Sequence, residues 1–336
     1  MPMNRASLLA DSTPDVQAGR PRTAVSLTRV GVTGVEKVIR VDSSDGEGQL
    51  FFAEIEAFVD LNPQQAGVHM SRFEEIVNEA IDEVVLSHTL KAEQLAAEIA
   101  ERIRDRQGGL RSEVALAARY PETVPTPATG NPTQEIYTLY GTAVASERGT
   151  RTLTGVEAQG MTACPCAQEM IAAGARETLA ERGYDEAQIA EILEVVPVAT
   201  HNQRGVGTLH LGCPEGRTME LDARELLRIV ESSMSSEIYE LMKRADERYV
   251  VEQAHRNPRF VEDCVREMIR QVGAAHPELA EGGFVLARQE NFETIHRHNV
   301  IAERSGSLAE ILEELSSGEH TRRHLTMREW LEAPAE

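Results

Sequence analysis

The chain has 336 residues, of which 41% are hydrophobic and 4% aromatic, and its 55 acidic and 34 basic side chains leave a formal net charge of −21. This is enough for two domains of ordinary size with real cores built on Leu, Ile, Val, Ala and Met. The charge argues against a nucleic-acid partner, because phosphate repels such a surface, and no apolar run is long enough for a membrane-spanning helix.

Lys37, Lys91 and Lys243 are the only lysines. A surface rich in Asp and Glu but poor in Lys reads as adaptation to high intracellular salt, where screening shortens self-repulsion. The first twenty residues carry no apolar core followed by a cleavage site, so a cytoplasmic protein is expected. In a reducing compartment Cys164, Cys166, Cys213 and Cys264 suit a ligand or a reactive thiol better than a disulfide framework. The apolar surroundings of Cys213 and Cys264 mark both as core filler.

In chain order, residues 1–20 read as a loose polar segment. Val25–Val41 and Gln49–Leu61 interleave β-branched and polar residues as strands do, with Asp42–Gly48 as the turn between them. Ser71-Arg72-Phe73-Glu74 reads as a capping box opening a helix whose stripe is Phe73, Ile76, Val77, Ala80, Ile81 and Val84. A second helix is predicted from Leu90 to Arg106, stopped by Gly108-Gly109. Strands follow near Ser112–Tyr120 and Gln134–Ser146. The order then repeats. Thr150–Gly160 and Val206–Gly212 are predicted strands, separated by a helical insertion with Ala167–Arg182 and Ala187–Glu194. Helices at Ala223–Ser232 and Phe260–Val272 and strands at Phe284–Gln289 and Thr294–Ile301 complete the second unit. An acidic tail from Glu303 carries one helix capped at Ser307 and Glu310. Two tandem α+β modules are expected, each an antiparallel sheet with helices on one face: residues 21–148, and residues 149–302 with the insertion at 166–200, followed by the 303–336 tail.

The most informative stretch is Met161–Gln168. Cys164 precedes Pro165, and proline is favoured at the first position of a helix. Cys164 is then the cap residue, with its sulfur at the positive end of the helix dipole, where thiolate is favoured over thiol. Other stretches hold polar residues that a core does not need. They are His201-Asn202-Gln203-Arg204, Lys243-Arg244-Ala245-Asp246-Glu247, Phe260-Val261-Glu262-Asp263, and His296-Arg297-His298. In a strand, alternate residues share a face, so His296 and His298 are expected to point together. One sulfur, one imidazole and one carboxylate make a divalent-metal site with an open position, the mark of a catalytic rather than a structural ion. No Walker-type loop and no strand–GxGxxG–helix unit is present.

At these residues the chain resembles type IB GTP cyclohydrolases, most closely the archaeal form of the methanopterin pathway. The resemblance runs from about Pro14 to Ile301 through Pro14-Asp15-Val16-Gln17, Val68–Phe73, Cys164-Pro165-Cys166, His201–Arg204, Lys243–Glu247, Asn257–Asp263 and Asn291–His298. It implies a tunnelling fold (T-fold), in which modules pair strands between subunits to close barrels and remove sheet edges. It also implies a homo-oligomer, dimer or tetramer, with active sites at subunit interfaces. By the same resemblance the metal ligands are Cys164, His201 and a glutamate placed at Glu247, with Glu237 and Glu252 as neighbours that spacing leaves open. Glu262 matches the carboxylate that anchors guanine, and His296 and His298 match a catalytic pair. Arg204 is a candidate for the triphosphate. The implied reaction opens the imidazole ring of GTP, releases formate and yields 7,8-dihydroneopterin 2′,3′-cyclic phosphate, with Fe(II) as the metal and Zn or Mn also compatible with the donor set. Two rival readings are a nitrile reductase of the same fold acting on a 7-deazaguanine, and a non-catalytic purine- or pterin-binding module.

Overall fold

The computed structural model of the chain describes residues 15–41, 49–87, 91–214, 221–319 and 324–333. The expected Asp42–Gly48 turn, the first 14 residues of the N-terminal segment and the side chain of Val84 lie outside the described residues. The chain divides into two compact units, Met1–Leu116 with Thr142–Thr150, and Ala117–Gly141 with Arg151–Glu336. Residues 117–141, expected in the first module, therefore cluster with the second unit. β3 (Arg111–Pro125) and β4 (Pro132–Ser146) have 15 residues each, about 50 Å at the usual strand rise, and Tyr137 and Leu139 of β4 pack in the second core.

In the first unit β1 (Leu27–Val41) pairs antiparallel with β2 (Gln49–Leu61), with Val30 opposite Val59 and Lys37 opposite Ala53. The period of two expected for β2 is realised. Phe51, Ala53, Ile55, Ala57, Val59 and Leu61 are buried and the residues between them are not. Helix α1 (Met70–Ser87) contributes Phe73, Ile76, Val77 and Ala80 to the core, and α2 (Ala92–Gln107) contributes Leu95, Ala96, Ile99 and Ile103. α1 starts at Met70, so Ser71 lies inside the first turn rather than at the expected cap. α2 stops where expected, at Gly108, whose φ of 70° suits a residue without Cβ.

In the second unit β5 (Gly149–Ala163) pairs antiparallel with β6 (Asn202–Cys213), from Thr152 opposite Cys213 to Ala163 opposite Asn202. The sheet continues through β8 (Phe284–Asn291) to β9 (Val300–Ser307), and the two-residue β7 (Ser236–Glu237) pairs with β5. The insertion between β5 and β6 forms α3 (Pro165–Glu181) and α4 (Glu186–Val195). Helices α5 (Ala223–Ser232) and α7 (Val261–Ala275) bury Leu226, Leu227, Val230, Val265, Met268 and Ile269 against Leu209, Leu211 and Val285 of the sheet. The α+β architecture with antiparallel strands and helices on one face is the one expected.

Lys243–Glu247 opens a helix that the sequence pattern did not announce, α6 (Arg244–Arg256), because the buried Asp246 carboxylate accepts the Lys243 N–H at 3.0 Å and caps the helix start. The last strand runs over Val300–Ser307 rather than Thr294–Ile301, and residues 292–299 form a bend-rich connection. The tail helix α8 (Leu308–Ser317) does begin at Ser307, whose hydroxyl accepts the Glu310 N–H. It is followed by α9 (Met327–Glu332), which the sequence pattern did not announce.

Candidate active site

Cys164 and His201 lie 37 residues apart yet come together because β5 and β6 are paired at this end and α3–α4 form a closed excursion between them. The Cys164 N–H donates to the His201 carbonyl at 3.1 Å, and the Thr200 hydroxyl donates to the Cys164 carbonyl at 2.9 Å. Cys164 is the α3 cap, in extended backbone (φ −75°, ψ 118°) with Pro165 at the first helical position. Its sulfur accepts the Ala167 N–H at 3.5 Å, so it sits at the positive end of the helix. Next to it, Ala163 is held on both sides: its N–H donates to Ser235 Oγ at 3.1 Å and its carbonyl accepts from Arg259 N at 3.0 Å.

His201 Nδ1 lies 3.0 Å from Gln203 Oε1 and 3.8 Å from Glu293 Oε2. The Glu293 side chain is only 7% exposed. The segment carrying it is tied to the start of β6 by Phe292 N–H to the Arg204 carbonyl at 2.9 Å and by the Thr294 hydroxyl to the Asn202 carbonyl at 3.1 Å. Gln203 and Glu293 both stand in stretches named from sequence, but neither was given a role. For Gln203 the signal was available, since residues two apart on a strand share a face. For Glu293 the motif alone gave no partner, because its approach depends on how the connection after β8 folds back.

Among the described residues, the remaining candidates make no hydrogen bond or ion pair with the Cys164 or His201 side chains. Glu247, in the first turn of α6, is exposed. The opposite end of that helix reaches the site, where His255 Nε2 lies 3.3 Å from the Thr200 carbonyl. Eight residues of helix separate the two, about 12 Å along the axis. Its neighbour Asp246 is structural: buried, it accepts from Ala128 N, Thr129 N and Thr129 Oγ1 at 2.9, 2.9 and 2.7 Å. Burial alone raises a carboxyl pKa, but here the Lys243, Thr129 and Ala128 hydrogen bonds win and hold it far below the usual range. Glu262 is exposed on the first turn of α7, at the rim of a cavity of about 510 Å³ with Val265, Ile269 and Ile311 on its floor and Arg266 and Arg304 beside it. His296 and His298 are exposed too. Their rings stack at 5.1 Å between centroids and 18° between planes, so the expected pairing is observed although no strand produces it. Arg204 is exposed on β6.

A further cavity of about 380 Å³ lies behind Ser235, lined by Glu231, Glu237, Tyr239, Tyr249 and Asn257. Burial pushes the Glu231 carboxyl up to about 7, against the lowering effect of the Tyr137 hydroxyl that donates to it at 2.8 Å.

A cysteine sulfur at a helix start and an imidazole on the paired strand end are donors that suit a borderline-soft divalent ion such as Zn or Fe(II), so the donor pair fits the implied metal. Among the described residues, no group of three His, Cys, Asp or Glu side chains is close enough to hold one. Also among them, no helix is long and apolar enough to cross a membrane.

Residues 13–302 match the family described as "Type I GTP cyclohydrolase folE2". The chain is 40% identical over 307 residues to GTP cyclohydrolase MptA of Methanococcus aeolicus, covering 90% of this chain and 99% of that one. It is 39% identical over 312 residues to GTP cyclohydrolase MptA of Methanosarcina acetivorans, covering 90% and 97%. Among solved structures, the uricase of Arthrobacter globiformis aligns with a TM-score of 0.48 at 9% identity over 84% of this chain and 95% of that one, a likeness too distant to bear on function. With the Cys-Pro-Cys helix start and the His201 strand inside the matched span, the chain belongs to the type I GTP cyclohydrolase family.

Proposed function

We propose that the protein is a metal-dependent GTP cyclohydrolase that opens the guanine imidazole ring, releases formate and forms 7,8-dihydroneopterin 2′,3′-cyclic phosphate. The observation that carries the proposal is the pairing of Cys164 and His201 on adjacent strand ends, a sulfur and an imidazole presented from rigid backbone inside a span matched to this family. Cys164 and His201 would hold the ion with Glu247 as the carboxylate ligand. Fe(II) is the assigned metal, and Zn or Mn suit the same donors. When bound, the ion supplies Lewis acidity that lowers the pKa of water toward neutrality for attack at C8.

The other steps fall to the chain itself. Glu262 accepts the N1–H and 2-amino hydrogens of guanine, a pattern that adenine cannot offer. His296 and His298 carry protons to and from the opening ring, the general acid–base role that imidazoles serve. Arg204 faces the triphosphate with paired donors.

In one subunit Glu247, Glu262, His296 and His298 are all exposed, which supports a site completed between copies of the chain in a dimer or tetramer. Exposed Val38, Leu50 and Phe52 on β1 and β2 offer apolar surface for such an assembly. A cytoplasmic setting fits this activity.

The test is anaerobic assay of the purified protein with GTP and Fe(II), following formate and pterin fluorescence and weighing the product by mass spectrometry. Turnover is expected, and it should be abolished in Cys164→Ala. Full turnover in a folded Cys164→Ala protein overturns the metal-site reading. A triphosphate product overturns the cyclic-phosphate assignment alone.

A further inference from the structure

We propose that Gln203 is a positioning residue that locks His201 as its Nδ1–H tautomer and so turns the Nε2 lone pair toward the metal. Three observations carry this. First, Gln203 is 5% exposed and stands directly opposite Thr162 in the β5–β6 register. Its side-chain Nε2 donates to the Thr162 hydroxyl at 3.0 Å, and Thr162 is fully buried. In that orientation Oε1 is the acceptor 3.0 Å from His201 Nδ1, and the Glu293 carboxylate, which can only accept, selects it over the flipped amide. An acceptor there requires the proton on Nδ1, and a neutral imidazole has only one proton, so Nε2 keeps its lone pair.

Second, the nearest charge to the same nitrogen is also an acceptor, the 7%-exposed Glu293 carboxylate at 3.8 Å, which favours the same tautomer. Third, among the described residues no hydrogen bond engages His201 Nε2. A ring oriented this way, with its second nitrogen tied to an acceptor, is the arrangement that strengthens imidazole as a metal ligand.

The inference rests on the metal-site reading above, and the experiment separates the two. Full-length metal-free protein with ¹⁵N-labelled histidine, read across a pH series, should show neutral His201 as Nδ1–H. The signal is assigned by its loss in His201→Ala. Zn(II) titration by calorimetry should show Gln203→Leu weakened about 10–100-fold, the usual cost of removing such a partner. Gln203→Glu should bind near wild-type strength, since a carboxylate still accepts the Nδ1–H and the Thr162 hydroxyl can turn to donate. A wild-type His201 found as Nε2–H overturns the proposal. So does Gln203→Leu binding Zn(II) as tightly as wild type while His201→Ala has lost it. If His201→Ala itself binds Zn(II) like wild type, the metal-site reading fails instead. Should Gln203→Leu not fold, the tautomer signal of the wild-type protein decides the matter alone.

Discussion

At the scale of single residues, the separation of roles between Glu262 and the Cys164–His201 pair can be measured. Glu262 projects from the start of α7 at a cavity rim, whereas Cys164 and His201 sit on the β5–β6 ends. Replacing Glu262 by Gln puts a donor where guanine also presents one and removes a charged acceptor. We expect GTP binding to weaken about 10–100-fold, the range for a hydrogen bond to a charged group, with metal content unchanged. Calorimetry with GTP and metal analysis of the same sample check this, and lost metal with intact GTP affinity contradicts it.

His210 makes a second residue-scale prediction. Burial pushes its imidazole down to about 4, its Nδ1 is buried with no hydrogen-bond partner among the described residues, and the ring of Tyr140, whose hydroxyl donates to Glu157, lies 5.2 Å away between centroids. The imidazole lies against Gly155, where an added Cβ would come within 2.2 Å of that nitrogen. The folded pKa is below the unfolded one, so the contribution is complete above about pH 6.5 and is lost as pH falls toward 4, on the order of 3 kcal/mol in all. His210→Phe should flatten the acid limb of stability, measured as denaturant midpoints across that range. An unchanged limb refutes it. Cys164 was legible from sequence because the following proline announces a helix start. His210 was not, because its burial depends on a glycine in another strand.

Elements were legible where periodicity was strong and illegible where a long-range contact sets a boundary. β2 follows its alternating pattern to the residue, and α5 falls on the expected Ala223–Ser232. α6 was missed because its start depends on Asp246, which a loop 117 residues away helps to hold. The closing strand was placed early because Ile295 and the histidines alternate like a strand, whereas Thr294 and Phe292 tie that segment to β6 instead.

The tail is the clearest case of an element made by tertiary contact. α9 is only six residues long, yet it places Trp330 against Phe284 at 5.6 Å between rings. Trp330 Nε1 donates to the Gly282 carbonyl at 3.1 Å, and its ring fills space that a Cβ on Gly212 would take. Trp330→Ala should therefore destabilise the fold by about 3 kcal/mol, the low end for a buried aromatic. Turnover at low temperature should survive, since none of the proposed site residues touches this cluster. Thermal unfolding alongside the formate assay tests both halves, and a stable but inactive variant would show that the tail serves the site.

At the scale of the molecule, chain order suggested two α+β units but not their border, which falls within β3 and β4. What composition does fix is charge. Clusters such as Glu79, Glu83 and Glu98 around Arg102 keep only part of the acidic surface paired. With a net charge of −21, self-repulsion opposes the compact state, and more so any assembly that brings several such chains together. Salt shortens that repulsion from about 10 Å of range at 0.1 M to about 3 Å at 1 M, while apolar contacts such as those offered by Leu50 and Phe52 are not weakened by it. Melting temperature and oligomer mass should therefore both rise between 0.1 and 2 M KCl. Exposed ion pairs contribute little and lose it at the same time, so their loss should not reverse the trend. Light scattering and thermal unfolding across that series decide the point: an assembly that comes apart as KCl rises is held by charge complementarity, and the self-repulsion argument fails.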